Sequence, residues 1–192
     1  MKALLIAVLA LPVVGAVTAA PVTYNIDPNH TYPSFEVDHM GGMSVWRGKF
    51  RRTSGTVILD TEGKTGSVNI AVDAGSIDFG LDSLSAHVKS AAMLDVAKYP
   101  TATYTGKLAK FVRGAPTQVD GQFTLHGIAR PLKLTIRSFK CAVNPIHKTQ
   151  TCGADATGSF NRDDYGVDFG KTMGFRMPVV LQIQVEAAKV TE

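Results

Sequence analysis

From Val179 the chain reads VVLQIQVEA. In an extended backbone Val179, Leu181, Ile183, Val185 and Ala187 share one side, and Val180, Gln182, Gln184 and Glu186 share the other. That is the period of a strand with one face on a core. Full burial of the four larger residues would contribute about 6–12 kcal/mol gross, at ~1.5–3 kcal/mol each. A one-residue slip would bury two glutamines and a glutamate instead, so the register is strongly specified. The pattern recurs. Val68, Ile70 and Val72 alternate with Asn69, Ala71 and Asp73. Val119, Gly121, Phe123 and Leu125 alternate with Asp120, Gln122 and Thr124, and Leu132, Leu134 and Ile136 with Lys133, Thr135 and Arg137. Shorter runs lie at 57–60, 102–111 and 155–161, and Gly-rich turns such as TEGKTG punctuate the chain.

One stretch breaks the two-residue period. In DSLSAHVKSAAMLDVAKYP, Leu84, Val88 and Ala91 or Ala92 fall at helical spacing. Asp82 or Ser83 offers a capping oxygen, and Pro100 ends anything that runs that far. The pattern predicts one or two short helices within 83–98. Many one-sided strands with one helical insertion point to antiparallel β structure. A closed barrel of about eight strands removes exposed edges and leaves an interior that is either packed or holds one small ligand. A two-sheet sandwich is the alternative.

The most polar strand candidate is YNIDPNHTYPSFEVDH, residues 24–39. If 34–40 is extended, Phe35, Val37 and His39 share the apolar face while Glu36 and Asp38 point away. His39 then shares no ligand shell with either acid. Asp27, Pro28 and Asn29 signal a turn, which places His30 just beyond it. No further ligands are indicated, so metal binding is disfavoured. Both imidazoles are expected to hydrogen-bond nearby backbone or side-chain groups at a barrel end.

The amino terminus reads differently. Lys2 precedes an apolar run at 3–14 broken by Pro12, and small residues follow. This is the layout of a secretory signal peptide, with cleavage after Ala19 leaving Val17 and Ala19 at the recognition positions. The alternative is an uncleaved anchor, which Pro12 and Gly15 weaken. The expected organisation is a signal peptide at 1–19 and a barrel domain at 20–192. Export places the two cysteines, Cys141 and Cys152, in an oxidising setting. They flank AVNPIHKTQT, whose Asn-Pro marks a turn between facing strands, so a disulfide is expected. The rival, a metal pair completed by His147, is one ligand short of a closed zinc site.

Other chemistry is thin. The net charge of +4 is mild, and KFRR at 49–52 is its densest basic cluster. A nucleic-acid reader needs a basic stripe with a recognition element, and neither is present. Weak, transient attraction to an anionic membrane surface is the most that this charge implies. GKT at 63–65 imitates the end of a P-loop, but Ile58 stands where the first Gly is required. NRDDYG from Asn161 imitates a calcium loop, but Tyr165 sits at a ligand position and Thr172 replaces the terminal Glu. No G-x-S-x-G and no H-E-x-x-H occur. Neither a catalytic residue nor a cofactor is indicated.

Five stretches in order, DPNHTYPSFEVDHMGG, WRGKF, KSAAMLDVAKYPTATY, GQFTLHGIARPLKLT and GSFNRDDYGV, resemble the YceI-like family of exported, lipocalin-like lipid-binding proteins. The resemblance runs from about Tyr24 to Ala187. The chain departs from it at Thr31, where Ser is commoner, at Pro33, where an aliphatic is commoner, and near Met93 and Leu94, where aromatics are frequent. His30, His39, Gly127, Pro131, Asn161 and Arg162 match the motifs without an assigned catalytic duty. The resemblance implies an eight-stranded antiparallel barrel with a helical insertion, located in the periplasm, whose apolar lumen holds a long-chain isoprenoid, either polyprenyl or isoprenoid quinone, or a similar lipid. Val37, Val72, Phe123, Leu125, Leu132, Leu134, Ile136, Leu181 and Ile183 are then expected to line the lumen, and His39 and Tyr104 to orient a headgroup at its mouth. Two other readings stay open. One is a stress or interaction protein with a packed barrel. The other is an enzyme acting on a lipid, which would need a titratable pair facing the lumen.

Overall fold

The structure, a computed structural model, describes residues 20–191, so the signal peptide expected at 1–19 lies outside the described residues. The described chain forms β1 (Val22–Ile26), β2 (Tyr32–His39), β3 (Ser44–Phe50), β4 (Thr53–Asp60), β5 (Thr65–Asp73), β6 (Ile77–Asp78), α1 (Asp82–Lys89), β7 (Thr101–Val112), β8 (Ala115–Leu125), β9 (Ile128–Val143), β10 (Gln150–Asn161) and β11 (Pro178–Lys189). The ladder runs β1-β4-β5-β7-β8-β9-β10-β11, and β11 returns to β1, closing an eight-stranded antiparallel barrel. The four strongest alternations fall in β5, β8, β9 and β11, and the weaker runs in β4, β7 and β10. Closure rules out the sandwich.

The barrel is extended at the end that carries α1, called the upper end below. There β2 takes over from β1 as partner of β11, and β3 takes over from β4. Each pair acts as one long strand with a break, and each break is held by a buried hydroxyl. Asp27 N donates to Glu186 O at 2.9 Å. Thr31 Oγ1 donates to the same carbonyl and accepts from Glu186 N, both at 3.1 Å. At the second break Ser76 Oγ accepts from Arg51 N at 3.1 Å and Arg52 N at 3.0 Å while donating to Asp73 O at 2.6 Å. Backbone groups that leave the ladder are thus satisfied without water. The KFRR cluster lies along this second break. Arg52 pairs with Asp73 at 2.6 Å, Arg51 approaches Asp78 at 3.8 Å, and Lys49 Nζ sits 5.1 Å from the Tyr32 ring centroid. Its charges are locally matched and form no open basic stripe.

At the upper end the wall is not all strand. β6 pairs with β3 alone, and α1 with the turns after it occupies the space between β6 and β7. Only one helix forms here, shorter than the stretch first marked for helix. The expected cap is also corrected. Leu81 holds the N-cap position, and Ser85 Oγ ties the helix start by donating to Leu81 O at 3.0 Å and accepting from Phe79 N at 3.1 Å. Asp82 lies in the first turn, where its charge suits the helix dipole. No helix among the described residues is long and apolar enough to cross a membrane.

A bulge in β9 changes the inward parity. Asp155 faces Ser138 but Ala156 faces Ile136, so β9 carries one extra residue. Leu132, Leu134 and Ile136 point in below it, and Phe139 and Cys141 point in beyond it. That shift brings Cys141 opposite Cys152, and the two are joined as a disulfide. The intervening turn is built by Asn144, whose Oδ1 accepts from Ile146 N at 2.8 Å and His147 N at 3.0 Å. The β8–β9 hairpin turns on His126 (φ 52°) and Gly127 (φ 75°), the paired positive φ of a two-residue turn.

His30 lies in the first break, its Nδ1 2.7 Å from Asp27 Oδ2. The hydrogen bond to Asp27, and then its charge, raise the imidazole pKa above the ordinary value. Burial alone would raise the Asp27 pKa, but bonds from His30 and from the Asn29 and His30 amides outweigh it and lower the value. The His30 contribution is present below the ordinary histidine value and lost as pH rises through the folded one. The Asp27 contribution is present above the ordinary carboxylate value and lost as pH falls through the folded one. The pair therefore acts between the depressed Asp27 pKa and the raised His30 pKa.

An NMR titration should give His30 a midpoint above the unperturbed value of about 6.5, and Asp27→Asn should lower it toward that value. A midpoint that ignores the substitution would rule out the pairing. Thiol labelling of denatured, unreduced protein should find no free thiol. Replacing Cys141 and Cys152 by Ser should cost about 3 kcal/mol of stability, on the chain-entropy estimate for a loop this short.

Candidate ligand-binding lumen

The inward side chains do not fill the barrel interior. They leave two cavities, a lower one of about 190 Å³ and an upper one of about 340 Å³. The lower cavity is walled by all eight strands of the closed ring, through residues such as Tyr24, Val57, Val68, Tyr104, Val119, Leu134, Ala156 and Ile183. The upper is walled by β2, β3 and the non-strand segments: Phe79, Leu84 and Val88 on one side, Val167, Phe169 and Phe175 on the other. Phe50, Phe123 and Leu181 belong to both walls and form a waist between them. Behind it the Phe123 ring packs against Phe160 at 5.2 Å and Tyr165 at 5.5 Å between centroids.

Expected lining residues distribute along this axis. Val72, Tyr104, Leu134, Ile136 and Ile183 face the lower cavity, and Val37, His39 and Leu125 the upper. Phe123 and Leu181 face both. Leu132 lines neither cavity; it points inward into the same buried core cluster as Leu134, and its carbonyl accepts a hydrogen bond from Tyr104 Oη at 3.0 Å. The headgroup role expected for Tyr104 is corrected by that same bond. Its ring lies over Gly121, where a Cβ would come within 2.5 Å of the ring carbon bearing the hydroxyl. Burial raises its pKa, so the hydroxyl stays protonated and committed to the wall.

At the upper mouth His39 meets rings instead of the polar partners expected. Trp46 lies at 5.6 Å and Phe175 at 5.7 Å between centroids. Asp38 also lines the upper cavity, against the simple alternation. The strand ends at His39 and turns through Met40 (φ 51°), and Asp38 Oδ2 accepts from Gly41 N at 2.9 Å and Arg176 N at 3.0 Å. The carboxylate thereby joins two turns at the rim. Glu36 does face outward, bonded to Arg47 Nε at 2.9 Å.

Arg162 lies in the upper wall. It opens the short 3₁₀ turn at Arg162–Tyr165 and is buried. Its Nη1 donates to Val167 O at 2.7 Å and its Nη2 to Phe169 O at 2.8 Å. Burial lowers its pKa, while Asp163, Asp168 and Asp38 act against that shift. An arginine starts so far above neutrality that it remains charged. The NRDDYG motif is therefore a brace for the rim. Period-two reasoning missed Phe79, Phe169 and Phe175 because they lie outside the strands.

The chemistry available is mainly apolar contact. In the lower cavity the hydroxyls of Thr31 and Tyr104 are bonded to the backbone. Thr53 Oγ1 is the one buried side-chain polar atom without a partner among the described residues. No group of three or more His, Cys, Asp or Glu side chains able to hold a metal ion occurs among the described residues.

Replacing Arg162 by Met keeps the bulk but leaves two carbonyls unpaired. A loss of about 2–6 kcal/mol is expected, at ~1–3 kcal/mol for each of the two groups left unsatisfied. Hydrogen exchange should quicken within 166–170 and stay slow in β8 to β10. Uniform exchange would refute the brace.

Comparisons with known proteins agree with this architecture. Two curated relatives called Protein YceI, from Salmonella arizonae and Salmonella paratyphi B, are each 27% identical over 154 residues, covering 80% of this chain and 79% of theirs. Among solved structures, Burkholderia cenocepacia BcnA matches with a TM-score of 0.62 at 20% identity, over 81% of this chain and 96% of its own. Campylobacter jejuni YCEI protein matches at 0.65 and 19%, over 78% and 88%. A polyisoprenoid binding domain from Saccharophagus degradans matches at 0.62 and 16%, over 88% and 99%. At these identities the solved structures speak for the fold alone. The YceI-like domain profile covers residues 24–187, nearly the whole described barrel, and the chain belongs to the YceI-like family.

Proposed function

We propose that the protein binds and carries a long-chain isoprenoid, a polyprenyl lipid or isoprenoid quinone, or a similar lipid in the periplasm. The observation that carries this reading is the unfilled apolar lumen. Leu181, Ile183 and Val185, on the inward face of β11, remain only partly buried because they face empty space. A chain threaded past the waist would complete their burial, at about 25 cal/mol per Å² of apolar surface removed from water. Such a ligand needs no fixed donors along its length. Its polar end would sit at the upper mouth, where Asp38, His39 and Arg162 are found. The solved relative described as a polyisoprenoid binding domain shares the fold and supports the ligand class. The leader-like segment at 1–19 and the disulfide support an exported, oxidising location.

A carrier with no catalytic duty fits the side chains present. The carboxylate, imidazole and guanidinium groups that line the lumen lie at the mouth. Asp38 and Arg162 are held by backbone groups of the rim, and His39 is held between rings.

Organic extracts of protein purified without detergent from a periplasmic fraction should contain a prenyl-chain lipid by mass spectrometry. Leu134 packs closely over Gly158, so Leu181, at the waist, is the better site to probe. Leu181→Trp should fold normally and co-purify with less lipid, or with shorter chains. No lipid in either form, with the Trp variant weaker by the ~1–3 kcal/mol of an overpacked core, would end the carrier reading.

A further inference from the structure

The upper mouth is ringed by apolar side chains that nothing in the described structure covers. Met40 and Met43 project from the β2–β3 turn, Val45 from the start of β3, Leu81 from the start of α1, and Phe169 and Met173 from the 166–177 segment. Met43 is 73% exposed and Met173 60%. The turns that bear them are fixed to one another. Arg176 Nη2 donates to Gly41 O at 3.0 Å, and a Cβ on Gly41 would stand 3.1 Å from Gly174 O. The Phe169 ring meets His87 of α1 at 4.8 Å between centroids. The six residues thus form a crown around the opening of the upper cavity.

We propose that this crown docks on a phospholipid bilayer, and that lipid passes there between bilayer and lumen; the second part rests on the carrier reading above. Three observations select a bilayer over a protein partner. The apolar residues sit on the tips of separate turns around a hole, and make no continuous face such as a packed protein interface needs. Three of the six are methionines, flexible side chains that enter a disordered apolar phase without shape complementarity. Phe169 belongs both to the crown and to the wall of the upper cavity, so an alkyl chain leaving the bilayer passes directly onto a mainly apolar wall. Three cations near the crown are matched by acids: Arg176 with Asp38 at 3.9 Å, Lys171 with Asp163 at 2.7 Å, and Arg47 with Glu36 at 2.9 Å. Docking is therefore driven by insertion of apolar side chains and does not require anionic lipid.

Flotation with pure phosphatidylcholine vesicles tests this directly, with a second set containing phosphatidylglycerol. The wild-type protein should float with both, and added salt should change little. Met43→Ser combined with Met173→Ser should lower vesicle affinity about tenfold or more, with an unchanged melting temperature. Val143→Ser combined with Ile146→Ser removes exposed aliphatics at the opposite end and should change affinity less than about twofold. Equal loss from both pairs, or binding that requires phosphatidylglycerol and disappears in salt, would overturn the proposal. So would a dimer by light scattering that the crown variant dissociates while no vesicle binding is seen, since a second copy would then be the occupant. Loading of a fluorescent prenol from detergent micelles separates the two readings. The crown variant should still load it, whereas a wild-type protein that floats but never loads would refute the carrier and leave the docking surface.

Discussion

Closure of the barrel depends on β11 pairing with β10 along one edge and with β1 and β2 in succession along the other. A strand can change partners partway only if the backbone groups at the handover are satisfied, because an unpaired buried amide or carbonyl costs about 1–3 kcal/mol. Glu186 is that handover. Its carbonyl takes the Asp27 amide and the Thr31 hydroxyl, and its amide gives to the same hydroxyl. Thr31 is nearly inaccessible to solvent, at 2% exposure, which makes its hydrogen bonds harder to replace with water. Ser76 does the same at the break between β3 and β4. Two small hydroxyls, each replacing missing ladder bonds, let an eight-stranded ring carry an extended upper wall.

That extension decides where chemistry is accessible. Below the waist the wall is continuous ladder, and apart from Thr53 its buried hydroxyls are bonded to the wall itself, as in the Tyr104 bond to Leu132. Above the waist β6 has no β7 partner, and helix and turns fill the space. Segments outside a ladder are held by fewer backbone bonds and rely on side chains such as Arg162, Asp38 and Ser85. The upper rim is thus where aromatic side chains, charged braces and the apolar crown gather. A closed base and a side-chain-braced mouth suit the carrier proposed above, whose case rests on the apolar lumen.

Much of the molecule was legible because a half-buried strand leaves a period-two trace. Val179 to Ala187 specified β11 and its inward face, since any other register buries glutamines, and the same held for β5, β8 and the first half of β9. The facing cysteines and the turn between them were legible too. Alternation failed where the backbone departs from the pleat. The β9 bulge turned Phe139 inward, and the turn at Met40 brought Asp38 to the mouth. The helix start was misassigned because Ser85 supplies the tie that Asp82 or Ser83 was expected to supply.

The sequence by itself determined the strand faces, the antiparallel class and the family, because those depend on local side-chain order along each segment and on motif spacing. Only the tertiary structure decided that the lumen is unfilled. Whether inward side chains meet across the axis depends on barrel circumference and strand stagger, which no single strand encodes. Only the tertiary structure, likewise, gathered Phe79, Phe169 and Phe175 at one mouth and set Arg162 under it, because those residues lie far apart in the chain and are brought together by closure on β11.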